Sequence, residues 1–460
     1  MFVKREAASA MFTRPDLPKD FLFGAATASY QVEGAGSEDG RTPCIWDDFA
    51  KIPGKVYMGH DGSVAADQYH RYKEDVALMA DLGFQAYRFS VSWSRVLPNG
   101  GDKVNPKGIQ YYRNLCTELH NRGMKACCTI YHWDMPSELQ AKGGWAERDT
   151  AYRLTYLAKV LFENLGDLVD MWITINEAMC ITFLGYQMGM HAPGIKDNDQ
   201  FIKSVHHVNL AHGLIVSEYR KTGLKAPIGI THNLEFPRPA TKDPKDAKAV
   251  SNHIALRSGL FMAPIFRKRY PEYVTDDLGW VFPVKDGDFD IISQPIDFLG
   301  INYYSEHVLR WSDTQPNNIE AAERWEERMS GIGWRITPHG LLRLLKWTSD
   351  YTGGKLPIYI TENGACCDDR LETDTKTGKQ FVHDEQRIRY LSEHLHMCAQ
   401  AINQGVPLKG YFCWSFIDNY EWTYGYSMRF GLVYCDYETQ KRIPKDSAYF
   451  MRDVMAGYGD

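Results

Sequence analysis

The chain of 460 residues has no uninterrupted apolar run of the roughly 18 residues that a membrane-crossing helix requires. Its start, MFVKREAASAMF, lacks the apolar core of an export signal. An unexported, cytoplasmic protein with no membrane partner is therefore expected. No Asn-x-Ser/Thr sequon occurs, in keeping with that location. The ten cysteines form no CxxC and no paired metal-ligand spacing, and Cys127/Cys128 and Cys366/Cys367 are chain neighbours. Adjacent residues reach disulfide geometry only with strain, so reduced, buried thiols are expected, and nothing supplies the lowered pKa that a redox role needs. Lysine and arginine are scattered rather than clustered and the net charge is −6, which argues against nucleic acid as a partner. No Pro/Ser-rich linker divides the chain. The simplest organisation is one domain over residues 17–460 behind a short N-terminal extension, 1–16.

What is present is globular in composition, with 44% apolar and 24% charged residues. Eight β-rich runs recur along it: Phe21 to Gln31, Ala86 to Ser94, Lys125 to Trp133, Met171 to Glu177, Pro227 to Glu235, Asp297 to Ser305, Pro357 to Gly364 and Leu408 to Phe416. Helical patterns lie between them. In Tyr69 to Gly83 the residues Tyr72, Val76, Met79 and Ala80 fall on one face, with Gly83 as a stop. Asp384 to Gly405 behaves the same way. Strands alternating with helices imply parallel pairing with right-handed crossovers. Eight units predict a single α/β (β/α)8 TIM barrel, with extended βα loops to account for the length beyond about 250 residues.

In such a barrel chemistry collects at the C-terminal ends of the strands. Those ends carry Gln31, Arg88, His132 with Trp133, Asn176 with Glu177, Asn302 with Tyr304, Glu362, and Trp414. Glu177 and Glu362 end different strands, so a closed barrel can aim both at one point. Two facing carboxyls suit glycosidic-bond cleavage, in which one protonates the leaving oxygen and the other attacks carbon or activates water; their separation decides between retention and inversion. Arg88 would hold Glu362 ionised, and that charge would keep Glu177 protonated.

The stretches FLFGAATASYQVEGA, RFSVSWSRVLP, YHWDMP, TINE, GINYYS, YITENG and WSFIDNYEWTYGYSMRFG together resemble glycoside hydrolase family 1, the retaining β-glucosidase family, from Leu17 to about Met455. The resemblance implies a TIM barrel without metal or cofactor, Glu177 as acid/base and Glu362 as nucleophile. It implies that Arg88 and Tyr304 contact the nucleophile and that Asn176 bonds the sugar 2-hydroxyl. Gln31, His132, Glu421, Trp414 and Trp422 would hold the remaining hydroxyls, Phe430 would form apolar wall, and Trp334 would form the platform for the leaving group. Trp133 and Asn302 complete the expected substrate-binding set.

Three positions depart from the family's pattern. Ala178 replaces the proline usual after the acid, which relaxes the backbone before it. Cys366/Cys367 and Met428 stand where small or aromatic residues and a charged residue are common.

The expected substrate is a small molecule: a terminal non-reducing β-D-glucosyl residue of cellobiose, a short cello-oligosaccharide, or an aryl or alkyl β-glucoside. The alternatives are a broad β-glycosidase preferring β-fucoside or β-galactoside, a 6-phospho-β-glucosidase, and a non-catalytic sugar-binding relative. Glu421 would repel a 6-phosphate, and a non-catalytic relative would be expected to lack one of the two glutamates. The run GAGSEDG, Gly34 to Gly40, reads as a turn rather than a dinucleotide loop. His206, His207 and His212 read as helix packing, because their spacing stacks no two ligands on one face. The charged loop from Trp311 to Gly333 is expected to shape the aglycone entrance.

Overall fold

The eight β-rich runs fold as eight strands: β1 (Leu22–Ala26), β2 (Ala86–Ser90), β3 (Lys125–Tyr131), β4 (Met171–Asn176), β5 (Ile228–His232), β6 (Phe298–Asn302), β7 (Ile358–Asn363) and β8 (Leu408–Trp414). A computed structural model describes residues 16–322 and 328–457. The expected extension over residues 1–16 lies, apart from Asp16, outside the described residues. Each strand pairs in parallel with its sequence neighbour, and β1 pairs with β8 in the register Leu22↔Gly410 to Ala26↔Trp414, which closes the barrel. Residues of β2 and β4 are buried throughout, as expected of strands covered on both faces.

The helical reading also holds. Helix Gln68–Asp81 buries Val76 and Met79, and Gly83 follows at φ 84, the left-handed geometry that lets the chain turn back. Helix Glu385–Asn403 fills Asp384 to Gly405 and buries Ile388, Leu391, Leu395 and Cys398. All ten cysteines are buried and unpaired. Among the described residues no helix is long and apolar enough to cross a membrane.

Two boundaries differ by several residues. The sequence predicts strand through Gln31 and through Ser94, but β1 stops at Ala26 with Ser29–Val32 as a helical turn, and β2 stops at Ser90 with Trp93–Val96 as another. Ala28, Gln31 and Val32 are buried together, so apolar alternation carried past the strand without the backbone staying extended.

The excess length resides in the loops beyond the strand ends. Arg238–Pro239, Val308–Trp311 and Ile319–Ala321 make a small sheet on the rim, which accounts for part of the Trp311 to Gly333 loop; residues 323–327 of that loop lie outside the described residues. The loops after β7 and β8 carry hairpins, Leu371–Thr373 with Gln380–Val382 and Val433–Cys435 with Arg442–Pro444. A buried ionic cluster ties these two loops together. Lys445 Nζ lies 2.5 Å from Asp369 and 2.7 Å from Asp418, Arg429 pairs with Asp418 at 2.6 Å, and Arg387 pairs with Asp369 at 2.7 Å and with Asp384. Three cations face three carboxylates, so the charges balance where water is excluded.

Candidate active site

Local irregularities aim the two glutamates. Glu362 pairs in register with Asn302, and β7 slips against both neighbours between Ile360 and Glu362/Asn363. A second slip, between Ile173 and Asn176 of β4, comes just before Glu177. Slips of this kind re-aim side chains beside functional sites. Glycine must follow Asn363, because a Cβ on Gly364 would stand 1.7 Å from the Trp414 carbonyl oxygen.

Arg88, fully buried in β2, donates to Thr129 Oγ1 (3.1 Å), Thr361 O (3.0 Å), Asn176 Oδ1 (2.6 Å) and Glu362 Oε1 (2.6 Å). The second Glu362 oxygen accepts from the Tyr304 hydroxyl at 2.6 Å. On the facing side, Asn302 Nδ2 donates to Glu177 Oε1 at 2.6 Å and to Asn176 Oδ1 at 3.0 Å. The Asn302 carbonyl accepts from Thr361, which fixes the orientation of the amide.

Electrostatics separates the pair. Glu177 is raised from 4.5 to about 8, first by burial and then by the Glu362 charge; Asn302, Cys180 and Arg88 pull the other way. Burial raises Glu362 as well, opposed by Arg88, Tyr304 and Asn302. Sequence reasoning gave Arg88 the upper hand outright, but the loss of water around the carboxyl is the larger effect. The first proton to leave the pair is nevertheless that of Glu362. Arg88 carries a permanent charge with no access to water, and Glu362 is the carboxylate in ion-pair contact with it. One carboxyl is thus held ionised on both oxygens while its neighbour retains a proton through neutral pH, a division suited to acid–base work.

Around the pair stands an aromatic and amide wall. His132 and Trp133 follow β3, and the imidazole stacks near Trp414 and Trp422 at 6.0 and 5.9 Å between ring centres. Burial and the Arg88 charge hold His132 well below its ordinary pKa, so it is neutral. Asn176 Nδ2 donates to its Nε2 at 3.2 Å, which leaves the proton on Nδ1, where no acceptor lies among the described residues. Gln31 Nε2 donates to Tyr420 O (2.8 Å), Asn419 Oδ1 (3.2 Å) and Glu421 Oε2 (3.4 Å), whereas its Oε1 is buried without a partner among the described residues. Glu421 is raised to about 8 by burial, then by Glu362 and Glu177. These atoms offer donors and acceptors to a polyhydroxylated ligand. Trp334, 38% exposed, joins Tyr304 and Phe430 at ring distances of 5.2 and 6.0 Å.

The fourteen residues expected from the sequence therefore gather at one end of the barrel. Some act differently from the expectation. The indole N–H of Trp133 is committed to the Asn176 carbonyl at 2.8 Å, and the amide of Asn302 serves the glutamates. With Ala178 in place of proline, hydrogen bonds hold the backbone before it. Glu177 sits at φ 50, its N–H bonded to Thr231 O at 2.9 Å and its carbonyl accepting from Cys180 N at 2.9 Å. Trp133 (φ 77) and Trp422 (φ 46) share that left-handed backbone, which costs each on the order of 1 kcal/mol or more and marks an over-determined site. Met428 packs its sulfur 3.6 Å from Cys366 Sγ, beside Phe430 and Trp414. Sequence reasoning missed Trp46, whose ring lies 4.5 Å from Trp422, and Cys180, whose thiol reaches Glu177 Oε2 at 3.1 Å. The three-residue spacing of Glu177 and Cys180 just past a strand end was the available signal. His206, His207 and His212 are indeed packing residues, bonded to Asp288, the Trp145 carbonyl and Thr174. No metal-ligand cluster forms among the described residues.

Comparison with known proteins agrees with this geometry. The family described as Glycosyl hydrolase family 1 matches residues 13–459. Beta-glucosidase A of Thermotoga maritima is 43% identical over 445 residues, covering 96% of this chain and 98% of that protein. Beta-glucosidase A of Acetivibrio thermocellus is 40% identical over 450 residues, with coverage of 96% and 98%. The solved structure of the family 1 β-glucosidase from Thermotoga maritima superposes with a TM-score of 0.92 at 42% identity, over 96% of this chain and 99% of that one. Matched from end to end in sequence and in fold, the chain belongs to glycosyl hydrolase family 1 and is a hydrolase of O-glycosyl bonds.

Proposed function

We propose that this protein is a retaining β-glucosidase whose nucleophile is Glu362 and whose acid/base is Glu177. The observation that carries the assignment is the asymmetry of the pair: Glu362 is gripped on both oxygens by Arg88 and Tyr304, and Glu177 is raised to about 8. Glu362 attacks the anomeric carbon as Glu177 gives its proton to the departing oxygen. Esterification removes the Glu362 charge, and with it one cause of the raised Glu177 pKa. Glu177, now ionised, takes a proton from water as water attacks the same carbon, and the configuration is retained.

The sugar is an unphosphorylated β-D-glucosyl residue, from cellobiose, short cello-oligosaccharides, or aryl and alkyl glucosides. Gln31, His132, Asn176, Glu421 and the indoles of Trp414 and Trp422 bind its hydroxyls, and Phe430 and Trp334 bound the ring and the leaving group. The groups acting on Glu421 are Gln31, Glu362 and Glu177, none of them a cation that would hold a phosphate dianion.

Glu362→Ala is expected to abolish hydrolysis of a nitrophenyl β-glucoside, and added azide or formate to restore turnover with inverted product, read by NMR of the first anomer formed. Near-normal turnover without azide would remove Glu362 from the role. A panel of nitrophenyl β-glucoside, β-galactoside, β-fucoside and 6-phospho-β-glucoside tests the sugar, with the glucoside expected to show the highest kcat/KM and the phosphorylated substrate the lowest.

A further inference from the structure

Glu177 has one neighbour that the mechanism above does not use. The Cys180 thiol donates to Glu177 Oε2 at 3.1 Å from one turn further along the chain, while Asn233 Nδ2 donates to Cys180 Sγ at 3.3 Å. Asn233 can only donate, so the sulfur accepts on that side and points its hydrogen at the carboxyl. Asn302 can only donate through Nδ2, so Glu177 Oε1 is an acceptor whether or not the group is ionised. The transferable proton therefore belongs on Oε2, the oxygen that the thiol touches. Among the hydrogen bonds described for the ten cysteines, this is the one made to a carboxyl of the facing pair.

We propose that Cys180 is a positioning residue that, oriented by Asn233, lowers the proton affinity of Glu177 and fixes the rotamer from which it protonates the leaving group. The inference rests on Glu177 being the acid/base. The thiol bonds the carboxylate that forms as the proton departs, and a hydrogen bond to a charged group is stronger than one to its neutral form. Burial keeps the thiol itself protonated, well above its ordinary pKa. Other charged or titratable groups face Glu177 from the surrounding elements: Glu362 on β7, Arg88 on β2, Tyr304 beyond β6 and Glu421 beyond β8. Behind the thiol, Glu235 beyond β5 is paired with His253, and Arg257 lies over Phe183. Replacing Cys180 leaves these charged and titratable groups in place and removes only the thiol's own bonds, to Glu177 and from Asn233.

The test is the pH dependence of kcat/KM on an aryl β-glucoside for wild type, Cys180→Ala and Cys180→Ser. Loss of the donor raises the proton affinity of Glu177, so the basic limb of Cys180→Ala is expected to move up by about half a pH unit. At pH 9 its rate, relative to its own plateau, is then about threefold higher than that of wild type. The serine variant restores a donor and brings the limb back to the wild-type position or below it. Limb positions do not depend on the fraction of folded enzyme, so a destabilised variant still reports. Coincident limbs for wild type and Cys180→Ala, or a common shift for the alanine and serine variants, would overturn the proposal. Failure of the acid/base assignment gives a different result: Glu177→Gln would then lose as much activity on dinitrophenyl as on methyl β-glucoside.

Discussion

Replacing Arg88 by methionine tests the electrostatic division of the pair most severely. The guanidinium has no access to water and makes its 2.6 Å ion pair with Glu362 at 0% and 4% side-chain exposure. Removing one partner of a buried pair costs about 3–5 kcal/mol, because the remaining charge has neither water nor counter-ion. Here the carboxyl can escape that cost by taking a proton. At about 1.4 kcal/mol per unit, the Glu362 pKa should climb by roughly two to three and a half units. Burial has already raised it, so the climb closes the gap that separates it from Glu177, itself raised to about 8. The single proton of the half-ionised pair is then shared between the two carboxyls, so the form with Glu362 ionised and Glu177 protonated no longer dominates at any pH. The acid limb of the kcat/KM profile moves up and the bell narrows, and with the fixed charge beside the nucleophile also gone the loss is about 100-fold or more at the wild-type optimum. The assay is the full pH profile on a nitrophenyl glucoside, scaled to sites titrated by the pre-steady-state burst and accompanied by a melting curve. Arg88→Lys should fall between, because an ammonium keeps the charge but not the fork that also holds Asn176. A folded Arg88→Met enzyme with more than a tenth of wild-type activity at its optimum, or with an unmoved acid limb, would refute the reasoning.

Two further outcomes concern stability. Glu421 has a folded-state pKa of about 8 against 4.5 for an ordinary carboxyl, so the folded state binds the extra proton; its relative stability is greatest below 4.5 and is lost as pH rises toward 8. Glu421→Gln should therefore melt close to wild type at pH 5 and above it at pH 8, and an equal difference at both pH values would contradict the sign. Lys445→Met leaves Asp369 and Asp418 with one cation each and should lower unfolding stability by about 3 kcal/mol in urea titration. An unchanged midpoint would show that Arg387 and Arg429 suffice.

The barrel was legible because parallel strands buried on both faces read as short apolar runs, and their helical partners read as one-sided stripes. The two glutamates were legible because each ends such a run. The β1 boundary was misplaced at Gln31 because a buried helical turn carries the same apolar residues as a strand end. The division of labour within the site was also hidden. Nothing in WDMP announces that Trp133 commits its N–H to a carbonyl, and no local pattern says which thiol of ten meets a carboxyl. The cluster of Lys445, Asp369, Asp418, Arg387, Arg429 and Asp384 was unreadable for the same reason: its members are scattered over the last 92 residues and meet only through tertiary packing.

Closure of the sheet by β1 against β8 has a consequence for how the chain is made. During synthesis the free edge of β1, opposite the one that pairs with β2, has to wait for residues 408–414, nearly 400 positions later. Until then an open, apolar sheet carries two unsatisfied edges, the configuration most prone to pairing with other chains. Contacts between such distant segments are also the slowest to form. Because Lys445 follows even later, the loops after β7 and β8 gain their shared anchor only once the last strand is in place. A ribosome-released fragment ending before Leu408 would thus be a sticky, open sheet without Trp414, Glu421 and Trp422, and productive folding waits on residues 408–445.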